Sequence, residues 1–264
     1  MKITLYQIDA FTQKVFGGNP AAVCPLAEWI PDELMQQIAI ENNLAETAFF
    51  VKKGDIYEIR WFMPSGEINL CGHATLASAY VIFKELNHPT DEISFSCLSG
   101  ALGATRAENG QITLNFPVWQ PKRIAVPPEI FEAFNHAPIA AYASRDLMLI
   151  FENEQQILEL APNLPMVKHL PYLGLNCTAK GDEVDFVSRV FDANDPISED
   201  PVTGSAHCGF VPFWAGQLGK TKLHARQLSA RRGELFCELK GDRVFISGYA
   251  VGYMKGEIEL MNYE

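Results

Sequence analysis

The stretch 199-EDPVTGSAHCGFVPFWAGQLG-219 opens with two acids and a proline, and its last 19 residues (201–219) carry no formal charge. A segment that apolar is buried, and a helix that is apolar nearly all round belongs inside a sheet or barrel, not on its surface. An earlier stretch has the same plan. 60-RWFMPSGEINLCGHATLASAYVIF-83 and 189-RVFDANDPISEDPVTGSAHCGFVPFWA-215 both begin Arg-x-Phe, and eleven residues after the arginine stands Cys71 in one and Asp200 in the other. Each then runs into a helix rich in small residues, spanning about 72–86 and 203–218, uncharged as far as Phe83 in the first and throughout the second. The match predicts an internal duplication.

The flanking sequence is strand-rich. Hairpins are predicted where AFFVKK and IYEIRWF (48–62) meet at Gly-Asp, where GATRAE and QITLNF (103–116) meet at Asn-Gly, and where LFCELK and RVFISG (235–248) meet at Gly-Asp. The amino-terminal MKITLYQIDAF alternates as a strand, with Ile3, Leu5 and Ile8 against Lys2, Thr4 and Gln7. A third helix should start near Pro31-Asp32-Glu33 and bury Leu34, Met35, Ile38 and Ala39. The segment 115-NFPVWQPKRIAVPP-128 has four prolines in fourteen residues and reads as a linker. The expected architecture is α/β (α+β), with two similar domains at 1–118 and 119–264, the last strand crossing back to the first domain.

Composition narrows the function. With 264 residues and a formal net charge of −11, the chain lacks the basic surface that a nucleic-acid backbone or an anionic membrane requires. Neither uncharged stretch makes a convincing membrane span, since they carry His73, His207 and several glycines and a proline. No secretory signal is visible at the amino terminus, so a cytoplasmic protein with free thiols at its six cysteines is expected. No CxxC pair occurs, and Cys71-x-His73 with His207-Cys208 is a weak metal signal, so no metal is expected.

The two helix starts suit acid/base chemistry. Small residues (Gly72 and Ala74; Gly204, Ser205 and Ala206) allow close approach to the backbone, and the first turn of a helix leaves amides unpaired at the positive end of its dipole. Were a pseudo-two-fold to bring both starts to one cleft, their amides would stabilise negative charge growing on a carboxylic acid as a neighbouring C–H bond breaks. Candidates for the base are Cys71, Asp200, His73 and Glu46, the last in 41-ENNLAETAFF-50 between a helix and a β-rich run. Each has a plainer reading: Asp200 as a helix cap, His73 as a core histidine, Glu46 as a solvated acid. Helix starts would lower the Cys71 pKa and a nearby carboxylate would raise it, so the sign stays open. Glu46 would gain basicity from apolar neighbours such as Phe49 or Phe62.

GGNPAAV (17–23), NLAETAFF (43–50), F-x-P (62–64), GEINLCGHAT (66–75) and EDPVTGSAH (199–207) together resemble the PhzF-like isomerases of phenazine biosynthesis, over essentially the whole chain. That family is similar in fold to diaminopimelate epimerase and proline racemase. The resemblance implies two domains, each a curved sheet or barrel around a central helix, and a cofactor-independent proton shift in a small carboxylic acid. It makes Glu46 the general acid/base, surrounds the substrate with His73, Asp200 and Ser205, and gives polar contacts to the Gly72 and Gly204 amides and Asn19. It also implies a homodimer. The two-cysteine racemases carry a thiol at both matched positions, whereas this chain has Cys71 and Asp200. A Cys71/Asp200-dependent racemase or epimerase-like enzyme is therefore a second reading, and a non-catalytic binding protein that keeps the fold is a third.

Overall fold

A computed structural model describes residues 1–193 and 198–260. The chain divides into two compact units, Met1–Asn115 with Ser247–Glu264, and Phe116–Ile246. The elements run β1 (Lys2–Ala10), β2 (Asn19–Leu26), α1 (Asp32–Asn42), β3 (Glu46–Lys53), β4 (Ile56–Met63), β5 (Gly66–Ile68), α2 (Gly72–Tyr80), β6 (Glu92–Cys97), β7 (Gly100–Arg106) and β8 (Ile112–Pro117). They continue as β9 (Lys122–Ile124), α3 (Pro128–Ala133), β10 (Ala140–Ala143), β11 (Leu147–Ile150), α4 (Glu154–Glu159), β12 (Leu175–Lys180), β13 (Phe186–Phe191) and β14 (Glu199–Asp200). The last elements are α5 (His207–Leu218), β15 (Lys222–Gln227), β16 (Gly233–Lys240), β17 (Arg243–Gly248) and β18 (Ala250–Glu259). This is a mixed α/β fold rich in sheet, with few helices.

The strand pairing repeats. In the first unit β2 and β3 pair parallel across α1, β3 and β4 form an antiparallel hairpin, and β4 pairs parallel with β6 across α2. In the second, β11 and β12 pair parallel around α4, β12 and β13 are antiparallel, and β13 pairs parallel with β15 across α5. The side chains repeat as well. Arg60 grips Glu67 with two hydrogen bonds of 2.7 Å and lies 5.2 Å from the Phe62 ring. Arg189 grips Glu199 at 2.7 and 2.8 Å and lies 4.9 Å from the Phe191 ring. The shared Arg-x-Phe is thus a guanidinium stacked on the ring two residues on and forked by an acid of the next strand. Residues 194–197 of the second stretch lie outside the described residues.

The long uncharged segments become the helices expected, with differences at their ends. Every residue of α2 from Gly72 to Ala79 is buried, and the helix packs on β1, β2, β3 and β18. It passes into a π-helical turn over Val81–Glu85. α5 starts at His207, four residues later than expected, because the turns at Gly204, Ser205 and Ala206 close with i→i+3 bonds to His207, Cys208 and Gly209 before α-helical bonding begins. Pro212 lies inside α5 and has no N–H, so the Cys208 carbonyl lacks its helical donor. The Trp119 N–H fills that role at 3.0 Å and ties the proline-rich segment to the helix.

Local readings elsewhere fare according to how local their causes are. α1 buries Leu34, Met35, Ile38 and Ala39 as its spacing predicts. The Gly-Asp turns pair Lys53 with Ile56 and join β16 to β17, with Gly54 and Gly241 at positive φ. The Asn-Gly hairpin is wider than two residues: Ala107 already bonds Gln111, which leaves Glu108-Asn109-Gly110 as the loop. The segment 115–128 holds the short strand β9, paired with β10, because Lys122–Ile124 escapes its prolines. α3 and α4, six residues each, were not anticipated; α4 is capped by Asn153, whose side chain accepts from the Gln156 N–H.

Candidate active site

The first unit concentrates the acid/base groups at the two ends of its parallel crossovers. Glu46 is the first residue of β3, and Cys71 is the extended residue preceding α2, with φ −137° and ψ 121°. His73 stands in the first turn of α2 and Asn19 is the first residue of β2. The turn before Asn19 requires glycine: Gly18 has φ +59°, and a Cβ there would sit 2.0 Å from the Ala10 carbonyl oxygen. The Thr75 N–H and hydroxyl both bond the Cys71 carbonyl, which locks the start of α2 and the direction of the Cys71 and His73 side chains.

These residues meet around one imidazole. His73 Nε2 lies 3.0 Å from Glu46 Oε2, with side-chain exposures of 4% and 13%. Neither atom has an aligned hydrogen bond among the described residues, so the pair is held by a close electrostatic contact. The Asn19 amide donates from Nδ2 to His73 Nδ1 at 3.1 Å, and Cys71 Sγ is 3.6 Å from the same nitrogen. In that arrangement the proton of a neutral ring is on Nε2, facing Glu46. Turning the Asn19 amide over would present Oδ1 to a protonated Nδ1, so Asn19 serves both charge states.

The electrostatics separate a thiol from an ion pair. Burial, reinforced by the Glu46 carboxylate, pushes Cys71 up to about 11, so it is a protonated thiol at neutral pH. The question that the sequence leaves open is answered against the thiolate. For His73, burial acts downward while Cys71 and the Glu46 carboxylate act upward, and the ring ends well above the usual histidine value. With Cys71 protonated, the support at neutral pH comes from Glu46.

Glu46, Cys71 and His73 are also close enough to suggest metal ligands, their ligating atoms lying within 4.8 Å of one another. The geometry does not favour one ion. Cys71 faces Nδ1 and Glu46 faces Nε2, and a single imidazole offers one nitrogen to one metal.

The second unit builds a polar turn around Asp200, on β14 opposite Val190. Asp200 is not the cap of α5; its Oδ2 accepts from the Thr203 hydroxyl at 2.7 Å, and the residue before the helix is Ala206. Fully buried Gln227 fixes the turn: its amide donates to the Asp200 carbonyl at 2.7 Å and to Thr203 Oγ1 at 3.1 Å, and its oxygen accepts the Thr203 N–H at 2.8 Å. Ser229 donates to the Pro201 carbonyl at 2.7 Å. The structure places Gly204 and Ser205 in the turn leading into α5, and Ser205 Oγ lies 3.5 Å from Arg145 Nη2. His207 donates from Nδ1 to the Thr203 carbonyl at 2.8 Å, and burial pushes its pKa down to about 4, so it is a neutral core histidine. Sequence reasoning missed Gln227, Ser229 and Arg145, since nothing in their own neighbourhoods marks them as partners of 199–207.

Glu46, Cys71, His73 and Asn19 stand on the motifs whose order along the chain defines a known group. The family described as phenazine biosynthesis-like protein, PhzC-PhzF, matches residues 8–256. This chain belongs to that family. Among the proteins similar to it is an uncharacterized isomerase of Pseudomonas aeruginosa, 45% identical over 260 residues that cover 98% of this chain and 100% of the relative. A human phenazine biosynthesis-like domain-containing protein is 36% identical over 291 residues, covering 98% of this chain and 99% of the relative. The crystal structure of a PhzF-family phenazine biosynthesis protein of Enterococcus faecalis superposes with a TM-score of 0.96 at 45% identity, covering 98% of this chain and 100% of that one. A hydroxyproline epimerase of Agrobacterium vitis shares the fold at 9% identity, with a TM-score of 0.66 over 97% of this chain and 92% of that one. Among the described residues, no helix is long and apolar enough to cross a membrane.

Proposed function

We propose that this protein is an isomerase that moves a proton between carbons of a small carboxylic acid, without a cofactor, with Glu46 as the general acid/base. The observation that carries this reading is the unaligned 3.0 Å contact between Glu46 Oε2 and His73 Nε2, both shielded from solvent. A carboxylate so placed has a cationic neighbour to hold it and oxygens that can accept a proton. Glu46 takes the proton from the activated carbon, the electron pair moves into the adjacent carboxylate or conjugated system, and Glu46 returns the proton to the same or another carbon. No net oxidation occurs, so nothing else is consumed. The amides of Gly72 and Gly204, with Asp200 and Ser205, are proposed to bind the polar groups of the acid, and Asn19 is proposed to position His73. The isomerase name of the 45%-identical relative and the epimerase activity named for a protein of the same fold support this class of reaction.

The racemase-like reading in which Cys71 abstracts the proton fits less well, because a thiol held up to about 11 is a poor base at neutral pH. The test is proton exchange of candidate acids in heavy water, followed by NMR. Deuterium should enter the activated position with wild-type protein and with Cys71→Ser, and fail to enter with Glu46→Gln. Undiminished exchange in Glu46→Gln would remove Glu46 from the role. A ligand that binds tightly and never exchanges would favour the non-catalytic reading.

A further inference from the structure

We propose that Arg145 recognises a second carboxylate on the acid bound at the Gly204–Ala206 turn, so that the substrate class is dicarboxylic. The proposal rests on the isomerase reading only in taking that acid to be the substrate; its claim about binding is separate. Arg145 is a built feature. Its Nε and Nη2 fork the neighbouring Asp146 carboxylate at 3.0 and 2.9 Å. Asp146 is itself buried and is oriented by the Asn176 amide at 3.2 Å. The guanidinium lies 4.3 Å from the Trp119 ring, a stacking geometry that suits arginine and not lysine. Trp119 is fixed in turn because Pro212 leaves the Cys208 carbonyl free to accept its N–H.

The guanidinium is therefore oriented on one edge and offered on the other. Its side chain is 41% exposed, and Nη1, with two N–H groups, has no partner among the described residues. A purely structural arginine neutralising Asp146 would need neither the indole beneath it nor the nearby Ser205, whose Oγ lies 3.5 Å away. Ser205 stands in the turn into a twelve-residue helix and lies against Nη2, so the guanidinium is beside a backbone already polarised for one anion. In a chain of net charge −11, a dianion needs such a local cation.

Binding is tested by calorimetry with matched probes: succinate against butyrate, and cis-cyclohexane-1,2-dicarboxylate against cyclohexanecarboxylate. Arg145→Met alone would strand the buried Asp146, so the informative variant is Arg145→Met with Asp146→Asn, its fold checked by thermal unfolding. Wild-type protein and Glu46→Gln should bind the dicarboxylates about tenfold or more tighter than the monocarboxylates. The double variant should bind both members of a pair alike, and Arg145→Lys should keep part of the preference. Equal affinity of wild-type protein for both members, no binding of either dicarboxylate at millimolar concentration, or a preference that survives in the double variant would each overturn the proposal. Failure of the wild-type protein to exchange deuterium into a dicarboxylate that it binds would sink the isomerase reading and leave this preference standing, so the two failures are distinguishable.

Discussion

His73 Nε2 lies 3.0 Å from Glu46 Oε2 at the meeting point of α2 and β3, sealed from solvent. Two parallel crossovers in one unit create the contact: β2–α1–β3 delivers Glu46 at a strand start, and β4–α2–β6 delivers His73 in a helix start. If Glu46 is the acid/base, Glu46→Gln keeps the size of the side chain and removes the proton acceptor. Exchange of an activated acid in heavy water should fall by about a hundredfold or more, with thermal stability little changed.

Asn19 touches His73 Nδ1 and has no exposed surface. Asn19→Ala should therefore act through the ring's orientation. The turnover rate is expected to drop about tenfold while KM stays within about twofold, and the pH–rate profile should move because the ring loses its polar neighbour. A change confined to KM would instead make Asn19 a direct ligand of the substrate.

Cys71 should behave as an inert thiol at neutral pH. Burial and Glu46 hold it up at about 11, whereas Cys97 is partly exposed. Iodoacetamide at pH 8, followed by peptide mass spectrometry, should label Cys97 well before Cys71. Rapid, substrate-protected labelling of Cys71 at pH 7 would restore the thiol-based reading.

His207 predicts an acid-labile second unit. Burial depresses its folded-state pKa to about 4, below the unfolded value, so its contribution to stability is present above about pH 6.5 and is lost as the pH falls through about 4. Over that window the loss approaches about 3 kcal/mol. His207→Asn keeps a donor for the Thr203 carbonyl and cannot titrate, so chemical denaturation between pH 7 and 4 should show a flatter dependence for the variant.

Gln227 holds three groups of the 200–203 turn with one buried amide. Gln227→Leu strands a buried N–H and a carbonyl, and should cost about 2–3 kcal/mol in denaturant unfolding. An unchanged midpoint would mean that the turn is held by Asp200–Thr203 and Ser229 alone.

Much of the fold was legible because its causes are short-range. The α1 stripe, the Gly-Asp turns and the uncharged helices each follow from residues within a few positions of one another. The duplication was legible for a related reason: Arg-x-Phe builds the same stacked, forked arginine wherever a strand is followed by an acid on the next. The start of α5 was misplaced because residues 204–206 close tighter i→i+3 turns after a turn that Gln227, 24 residues from Thr203, holds in place. α4 announced itself only through the spacing of Asn153 and Gln156, a cap signal that is weak without a long apolar stripe behind it.

The sequence by itself determined the residue types of the candidate site and the asymmetry of its two matched positions, Cys71 and Asp200, since a motif needs only its own letters. Only the tertiary structure decided their chemistry. A pKa depends on what burial removes and which charge stands nearby, and it was packing that put Glu46 beside a buried thiol and made Cys71 an acid to be kept protonated. Packing likewise brought Trp119, Arg145 and Asp146 together beside Ser205, because a hydrogen bond or a stacked ring joins residues by distance in space, whatever their separation along the chain.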